Sequence, residues 1–405
     1  MSDPKPILSG IRVIEVGTYI MAPAAATVMS DFGAEVIKIE PPGMGDPLRM
    51  LHHVPPMPTC DIDYCFQLDG RNKKSLVVDL KRDEGRAIVL KLVEKADVFL
   101  TNYQPSVLDA LRLRYEDIAP LNERLIYAHG TGYGELGPDI ERPGYDMTAW
   151  WARSGLMDVV HSGGADPALS VAGMGDHPTA VALFGAIMLG LFQRERTGKG
   201  GKVRTSLMAS GAWTNSCLLQ SVLCGAAPYH PADRKTALNA MVNHYAARDG
   251  KRFILTGIRG DRDWANLCKS TGREDLMQDP RFTDIAARRA NSPALIALLD
   301  ETFAEKDMAE WDRLFTANDL TYSPAPSYAD VTTDEQLWAN EVFVEMPHPQ
   351  RGTMATINSP LFVDGTPKQK PTAAPTLGQH TDEVLQSAGY APHVIAHLRE
   401  QRVIA

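Results

Sequence analysis

The sequence predicts an α/β protein whose main part is a doubly wound parallel sheet. Two observations support this class. First, the β-rich runs 11–16 and 35–39 flank a helical stretch, 24–32, which Gly33 ends. A strand, a helix and a second strand in this order form a right-handed parallel unit. Second, the same alternation returns further along the chain, which indicates a sheet covered by helices on both faces.

The later elements are predicted from the same patterns. Short apolar and β-branched runs predict strands, and amphipathic runs predict helices. The further predicted strands are 75–80, 97–100, 124–129 and 202–207, and the predicted helices between them are 83–95 and 107–113. The stretch 146–190 is predicted to be largely helical.

The length of 405 residues favours two or three domains. Residues 1–224 are assigned to the first part of a large domain, and the Gly- and Pro-bearing connection 225–231 opens a small domain over 225–330. Residues 331–405 form a third, C-terminal part. The helices predicted in the second and third parts are 263–270, 292–304, 308–316, 381–387 and 392–401.

The composition is that of an ordinary globular protein, with 44% hydrophobic and 22% charged residues. A net charge of −9 argues against a nucleic-acid partner, which needs clustered lysine and arginine, but permits a small anionic ligand. The longest apolar run, 180–192, is too short and too rich in glycine to span a membrane. A cytoplasmic protein with reduced cysteines and no membrane partner is predicted.

Several enzyme signatures are absent or incomplete. Gly132–Gly137 has the glycine spacing of a phosphate-binding loop, but Pro138 follows and no helix begins there. The Gly-x-Ser-x-Gly elbow of α/β hydrolases does not occur, and neither does the His-Glu-x-x-His zinc motif. No metal site and no permanently bound cofactor are therefore predicted.

The stretch Gly173–Pro178 contains the most informative acidic residue, Asp176. It stands at or beside the N-cap of a helix predicted to begin at Thr179. One interpretation is that its carboxylate only caps this helix. The other is a reactive carboxylate, kept ionised by the helix dipole and left accessible by Gly173 and Gly175. The spacing alone does not decide between them.

The chain resembles the family III CoA-transferases, which share a fold with α-methylacyl-CoA racemase. The resemblance extends over nearly the whole length and is carried by blocks that occur in the right order. Each block is short, and their specificity lies in the set. The blocks are 8–14 (LSGIRVI), 33–43 (GAEVIKIEPPG), 70–75 (GRNKKS), 194–200 (RERTGKG) and 377–381 (LGQHT).

The resemblance implies a function, a nucleophile and an assembly. It implies transfer of CoA from an acyl-CoA donor to a carboxylic acid acceptor, with Asp176 as the catalytic residue that forms a covalent aspartyl intermediate. CoA thioester is then a substrate. The resemblance also implies an interlocked homodimer, with a Rossmann-like large domain made of N- and C-terminal parts and a smaller α+β domain.

Two alternatives stay open. A related racemase needs bases that move an α-proton, and such enzymes place a histidine before an aspartate. This chain has Tyr145 before Asp146, and a tyrosine, which we expect to be buried, is a poor base. Transfer is therefore favoured over racemisation. The second alternative is a non-catalytic dimeric CoA-binding protein in which Asp176 is only a cap.

Further site residues are predicted from the same resemblance. Ile20 stands where formyl-CoA transferase has an active-site glutamine, and Tyr145 corresponds to a substrate-site tyrosine. The predicted substrate-binding residues are Tyr145, Trp150, Arg153, Ile20 and His177. The predicted CoA-binding residues are Asn102, Arg71, Lys73, Lys74 and Arg112. For the three cations within 71–74, a solvated cationic turn stays open as the alternative.

The stretch 145–155 favours an aryl, branched or short dicarboxylic acid as substrate. Trp150 and Trp151 are expected to line a broad acyl pocket, and Arg153 to pair with a substrate carboxylate. Backbone N–H groups within 173–177 are expected to stabilise the oxyanion that forms during acyl transfer.

Overall fold

The computed structural model describes residues 5–405 and separates into two compact units. Unit 1 consists of the segment that ends at Asp158, together with Leu169–Ala227 and Ala339–Ala405. Unit 2 consists of Val159–Ala168 and Pro228–Trp338. The large unit is thus built from N-terminal and C-terminal parts of the chain.

The predicted domain boundaries differ from those of the units. The structure places the ends of the middle segment at Pro228 and Trp338, where the sequence analysis has 225 and 330. It also assigns Val159–Ala168 to unit 2, whereas the sequence analysis places this stretch in the large domain.

The strands belong to three sheets. In chain order they are β1 (Arg12–Val16), β2 (Glu35–Glu40), β3 (Lys73–Val77), β4 (Val98–Thr101), β5 (Ile126–Thr131), β6 (Gly201–Ser206), β7 (Val242–Ala246), β8 (Arg252–Thr256), β9 (Tyr322–Ala325), β10 (Phe343–His348) and β11 (Gly352–Ile357). In unit 1, β1 to β6 form a parallel sheet in the order β3-β2-β1-β4-β5-β6, the doubly wound order that the sequence predicts. Unit 2 contains the antiparallel sheet β7-β8-β9, and β10 and β11 form an antiparallel hairpin.

The helices are numbered along the chain in the same way. They are α1 (Met21–Asp31), α2 (Tyr64–Gly70), α3 (Asp83–Val93), α4 (Pro105–Leu111), α5 (Tyr115–Ile118), α6 (Leu156–Val159), α7 (Asp176–Thr197), α8 (Leu207–Thr214), α9 (Ser216–Leu223), α10 (Asp261–Thr271), α11 (Ile285–Ala290), α12 (Ser292–Phe303), α13 (Met308–Ala317), α14 (Tyr328–Val331), α15 (Glu335–Ala339), α16 (Thr381–Ser387) and α17 (Pro392–Glu400). A π-helical segment, Asp146–Ala152, precedes α6.

The parallel sheet lies between two apolar cores. Successive residues of a strand point to opposite faces, so Val13 of β1 packs in one core and Ile14 in the other. Helices α1 and α7 cover the first face and pack against each other. Helices α3, α16 and α17 cover the second face. The C-terminal helices thereby complete the layer that the N-terminal segment begins.

The first helix shows how local sequence positions the site. Pro23 lies in the first turn of α1, where a missing N–H is tolerated. Gly33 follows the helix with φ +94°, a conformation that glycine adopts without strain. The prediction of this helix is confirmed, although it begins at Met21 rather than at residue 24.

The prediction of a largely helical stretch over 146–190 is wrong in its middle. After α6 the chain is non-helical until α7 begins at Asp176. Gly163, Gly164 and Gly173 interrupt the stretch, and the last two have positive φ. The hairpin β10-β11 was not predicted, because Pro347 within β10 is atypical of a strand.

Unit 2 has its own core. Buried aromatic side chains from the sheet and from the helices meet in it, among them Phe253, Phe303, Trp311 and Phe315. In residues 5–405 there is no helix with the length and apolarity needed to cross a membrane.

Candidate active site

A cavity opens at the carboxyl edge of the parallel sheet. The strand order reverses between β1 and β4, and the loops after these strands diverge there, which leaves a crevice. The loop 18–21 after β1, the loop 102–105 after β4 and the segment 130–133 at the end of β5 line this cavity of about 320 Å³. We call it the switch-point cavity. Ligands of doubly wound proteins bind at this position.

Asp176 lies in the wall of the switch-point cavity and is the first residue of α7. The N-cap position belongs to Gly175, and the helix has no side-chain cap. The carboxylate of Asp176 therefore does not carry out the capping role that one interpretation of the sequence gave it. Instead, Asp176 lines the cavity.

The electrostatics of Asp176 differ from those expected from the helix dipole alone. Burial raises the pKa of its carboxyl group to about 7, and the carboxylates of Asp146 and Asp69 add to the rise. The imidazole of His177 acts in the opposite direction. The expectation that the helix terminus keeps the carboxylate ionised is thus incomplete, because burial and like charges outweigh the dipole.

Asp146 connects the π-helical segment to the start of α7. Its Oδ1 accepts a hydrogen bond from the N–H of Met147, and its Oδ2 lies 3.5 Å from the N–H of Gly175. The side chain is 6% exposed. Asp146 therefore fixes the loop immediately before Asp176 and brings a second carboxylate close to it.

The two glycines before Asp176 are needed for packing and conformation. A Cβ on Gly175 would lie 2.5 Å from the ring of Trp150, so the indole packs directly against the backbone. Gly173 has φ +81°, and a Cβ there would lie 3.0 Å from Nδ1 of His177. Their role in admitting a bulky substrate stays a prediction.

His177 has a hydrogen-bond acceptor near each ring nitrogen. Its Nδ1 lies 3.1 Å from the carbonyl oxygen of Gly173, and its Nε2 lies 3.4 Å from Oδ1 of Asp69, which is buried at the end of α2. Burial acts to lower the pKa of His177, but Asp69 and the Gly173 carbonyl outweigh it and raise this pKa to about 9. The residue that follows Asp176 in the chain thus carries an imidazole whose pKa is raised by its two acceptors.

The loop after β1 is fixed by two side chains. The amide of Asn102 accepts from the N–H of Thr18 at 3.0 Å and donates to its carbonyl at 2.8 Å. The N–H of Tyr19 donates to Oδ1 of Asp46 at 3.0 Å. Tyr19 has φ +60°, which a non-glycine residue rarely adopts. These bonds hold Tyr19 in the wall of the cavity.

Four of the predicted site residues meet in this cavity. Asp176, Asn102, Ile20 and Tyr145 all line it. The side chain of Tyr145 is 56% exposed and packs edge-to-face on Tyr19, with ring centroids 5.7 Å apart. The expectation that Tyr145 is buried is therefore wrong, because it lies at the open side of the cavity.

The predicted CoA-binding cations lie outside the cavity. Arg71 and Lys73 are buried, and they form ion pairs with Asp31 and Glu15, each at 2.7 Å. These charges are neutralised inside the fold, and neither side chain lines the switch-point cavity.

The other two predicted cations are more exposed. Lys74 pairs with Glu35 and Glu383, and Arg112 pairs with Asp83. The left-handed φ of +52° at Arg112 ends α4. Neither side chain lines the switch-point cavity.

The predicted acyl-pocket residues are also placed differently. Trp150 and Trp151 are each 4% exposed and belong to the core between α1 and α7. Arg153 is half exposed and pairs with Asp139 at 3.0 Å. None of the three lines the cavity, because the π-helical segment directs both indoles into the core.

The sequence analysis missed three residues of the site. Tyr19 and Arg142 line the switch-point cavity, and Arg142 is its one lysine or arginine among the residues that the structure describes. Arg142 lies over the ring of Tyr133, 5.5 Å from its centroid. Asp69 is the third. The sequence gives no signal for its pairing with His177, because the two residues are far apart along the chain.

A second, apolar cavity of about 600 Å³ lies in the same unit. It is lined mainly by carbon atoms of α1, of α7 and of the chain after β11, including Val28, Val181 and Phe362. His177 and Asp69 also line it. Adjacent residues of α7, Asp176 and His177, thus contribute to two different cavities.

Comparison with known proteins identifies the family. The family model "CoA-transferase family III" matches residues 8–381. The chain is 32% identical over 399 residues to (R)-2-hydroxy-4-methylpentanoate CoA-transferase of Clostridioides difficile, which covers 98% of this chain and 99% of that protein. It is 31% identical over 412 residues to cinnamoyl-CoA:phenyllactate CoA-transferase of Clostridium sporogenes, covering 100% and 98%. Succinyl-CoA:glutarate CoA-transferase of Mus musculus is 33% identical over 385 residues, covering 95% and 87%.

Solved structures agree with this similarity. A CAIB/BAIF family protein from Brucella suis superposes with a TM-score of 0.84 at 27% identity, covering 95% of this chain and 100% of that chain. The hypothetical protein Rv3272 from Mycobacterium tuberculosis gives a TM-score of 0.81 at 27% identity, covering 94% and 100%. Together with a family model that spans most of the sequence, these findings show that the chain belongs to the family III CoA-transferases.

Proposed function

We propose that this protein moves CoA from an acyl-CoA to a carboxylic acid through a covalent intermediate on Asp176. One observation carries the proposal: the carboxylate of Asp176 lines the switch-point cavity and does not cap its helix. In a chain that belongs to the family III CoA-transferases, a carboxylate so placed is available as a nucleophile.

The proposed reaction begins with attack of Asp176 on the thioester carbonyl. The C–S bond breaks, which gives a mixed anhydride and CoA thiolate. The thiolate then attacks the aspartyl carbonyl, releases the donor acid as a carboxylate and forms an aspartyl-CoA thioester. The acceptor carboxylate attacks this thioester, and the released thiolate attacks the acceptor acyl group of the new anhydride. This step forms the product thioester and restores the carboxylate of Asp176.

The start of α7 offers a donor for the oxyanion in these steps. The N–H of Gly175 is directed to Asp146, and the N–H of His177 donates to the carbonyl of Gly173 at 3.1 Å. Within residues 5–405, no described hydrogen bond uses the N–H of Asp176. Because Asp176 also lines the switch-point cavity, which Gly173 does not, we propose its N–H as the oxyanion donor among the backbone groups of 173–177.

For CoA, we propose that Arg142 contacts a phosphate group at the mouth of the cavity. Its guanidinium lines the cavity and is only partly neutralised, by Asp139 at 3.5 Å. Asn102 acts as a positioning residue in this proposal, because its amide is occupied by Thr18 on both sides. The phosphate partner thus differs from the cations that the sequence suggested.

For the acid, we propose that an aryl, branched or short dicarboxylic chain extends into the apolar cavity. The relatives are named for a branched hydroxy acid, for phenyllactate and for glutarate, and a cavity of about 600 Å³ has room for such chains. Val181→Phe should fill part of it and reduce kcat/KM for a phenyl-substituted acid about 10-fold relative to acetate. Ala182→Phe, at an exposed neighbouring position, is the control. An equal loss of kcat/KM for the phenyl-substituted acid and for acetate would contradict binding of the acid chain in the apolar cavity.

A panel of acyl-CoA donors and carboxylic acid acceptors, analysed by mass spectrometry of the CoA products, tests the function directly. We expect CoA to move between a thioester and an added acid. In deuterated water, the α-proton of a 2-methylacyl-CoA should not exchange, because the chain has Tyr145 where a racemase has histidine. Exchange as fast as transfer would support a racemase. Binding of CoA without either reaction would support a non-catalytic protein.

We also propose the interlocked homodimer that the resemblance implies. Static light scattering of the native protein should give about twice the chain mass of 44.3 kDa at every practical dilution. A monomer in dilute native buffer would contradict threading, because interlocked chains separate only on unfolding.

A further inference from the structure

The ring of His177 faces a hydrogen-bond acceptor at each nitrogen. A carbonyl oxygen only accepts, so the contact of 3.1 Å between Nδ1 and Gly173 requires a proton on Nδ1. Nε2 lies 3.4 Å from a carboxylate oxygen of Asp69, at ion-pair distance although not aligned as a hydrogen bond. An unprotonated Nε2 would direct its lone pair at this anion. The arrangement therefore favours the doubly protonated imidazolium.

The surrounding backbone is shaped around this ring. The positive φ of Gly173 folds the loop back so that its carbonyl reaches the imidazole of the residue four positions later. Asp69 is 3% exposed, and its own carbonyl accepts a hydrogen bond from the hydroxyl of Thr27 at 2.6 Å. Both acceptors belong to unit 1, and the ring lies between them.

The charges around Asp176 show what this cation does. The carboxylates of Asp146 and Asp69 both disfavour ionisation of Asp176, whereas the imidazole of His177 favours it. Two further groups lie near enough to Asp69 to interact with its charge. They are the ammonium of Lys73, which forms an ion pair with Glu15, and the thiol of Cys65. Among the groups that shift the pKa of Asp176, His177 is thus the one that lowers it.

We propose that Asp69 and the Gly173 carbonyl hold His177 as an imidazolium, and that this fixed positive charge keeps Asp176 ionised as a nucleophile. Asp69 is then a positioning residue that acts through His177. The inference rests on the proposed function and adds to it the group that makes the carboxylate reactive.

The pH dependence follows from two opposite requirements. Asp176 reacts as a carboxylate, so activity should rise with pH through its raised pKa of about 7. His177 must stay protonated, so activity should fall again through its raised pKa of about 9. Because both requirements must be met, kcat/KM should follow a bell-shaped pH profile, with its maximum between about pH 7 and about pH 9.

Chemical modification tests the charge of His177 without reference to activity. Diethyl pyrocarbonate acylates neutral imidazole, and peptide mapping identifies the modified residue. In the wild-type protein, modification of His177 should increase with a midpoint near pH 9. In Asp69→Asn the midpoint should fall by at least about one pH unit, towards the ordinary histidine value of about 6.5. His244, whose pKa is lowered by burial and by nearby arginines, is the internal control.

The pH profile of transfer then separates an electrostatic from a structural role. In His177→Gln the alkaline fall should disappear and the acidic rise should move to higher pH, with a lower kcat. In Asp69→Asn the alkaline fall should move to lower pH. A midpoint near 6.5 for the wild-type His177, or unchanged shapes in both variants, would overturn the inference even if transfer and the Asp176 adduct are observed. Failure of the proposed function itself would instead appear as wild-type protein without transfer.

Discussion

Two groups of charged side chains in unit 1 differ in how their charges are balanced. The first, which we call the sheet cluster, consists of Glu15 in β1, Lys38 in β2, Lys73 in β3 and Asp46 after β2. The second, the site cluster, consists of Asp69, Asp146, Asp176 and His177 at the start of α7.

In the sheet cluster every charge has a close partner. The ammonium of Lys38 lies 2.6 Å from Glu15 and 2.7 Å from Asp46, and Lys73 lies 2.7 Å from Glu15. Burial alone would raise the pKa of Glu15, but the two ammonium groups outweigh it and lower that pKa. Burial would lower the pKa of Lys38, and Asp46 and Glu15 raise it instead. At Lys73 burial outweighs Glu15 and lowers the pKa, although the ammonium keeps its close carboxylate partner.

In the site cluster, carboxylates outnumber cations. Burial and Asp146 raise the pKa of Asp176 to about 7, and the one imidazole compensates only in part. The same residue types thus form balanced ion pairs in one place and leave a carboxylate with a raised pKa in the other. The comparison indicates that unbalanced charge beside a cavity distinguishes a reactive carboxylate from a structural one.

The largest effect is expected from Asp176→Asn in the site cluster. Removal of a covalent nucleophile should reduce kcat at least about 100-fold, because no other carboxylate among the described residues lines the switch-point cavity. Steady-state transfer assays measure this loss, and circular dichroism checks that the variant is folded. A variant that keeps more than about one hundredth of the activity would remove Asp176 from the mechanism.

A substitution in the sheet cluster should change the stability of the fold rather than the reaction. Glu15→Gln leaves Lys38 and Lys73 without their shared carboxylate and should lower the free energy of unfolding by about 3–5 kcal/mol. Urea denaturation measures this change. The matched control is Glu35→Gln, whose partly exposed pairs with Arg12 and Lys74 should be worth less than about 1 kcal/mol. Equal losses in the two variants would contradict the distinction between buried and exposed charge.

A smaller effect is expected for the cation at the mouth of the cavity. Arg142→Ala should raise KM for acyl-CoA about 5-fold and leave kcat nearly unchanged, because an exposed phosphate contact contributes modestly. Arg112→Ala, at an equally exposed position outside the cavity, should change KM less than about 2-fold. A larger effect at Arg112 would restore the CoA contact that the sequence suggested.

The sequence predicts the architecture because the signals are local. Apolar strands, the proline in the first turn of α1 and the terminating Gly33 are each visible within a few residues. The identification of Asp176 as a special carboxylate has the same origin, since its glycines and its helix are neighbours in the chain. The resemblance then favours a nucleophile over a helix cap, the two interpretations that spacing leaves open.

The charge partners are not predictable in this way. Lys73 and Arg71 appear in the sequence as a cationic turn, and only the fold shows that Glu15 and Asp31 neutralise them. Trp150 appears available for a substrate, whereas its indole packs on Gly175. Each of these errors concerns a contact between segments far apart in the chain. Pairwise contacts of this kind decide which polar side chains are free to bind a ligand.

The central claim is a covalent intermediate on Asp176, and trapping it is the most direct test. The wild-type protein is incubated with an acyl-CoA at about pH 8, where Asp176 is ionised and His177 is protonated. Hydroxylamine is then added, and peptides are analysed by mass spectrometry. The account predicts a hydroxamate on the peptide with Asp176 and none in Asp176→Asn. Rapid CoA transfer with no hydroxamate on Asp176, or with one on Asp146 instead, would contradict it.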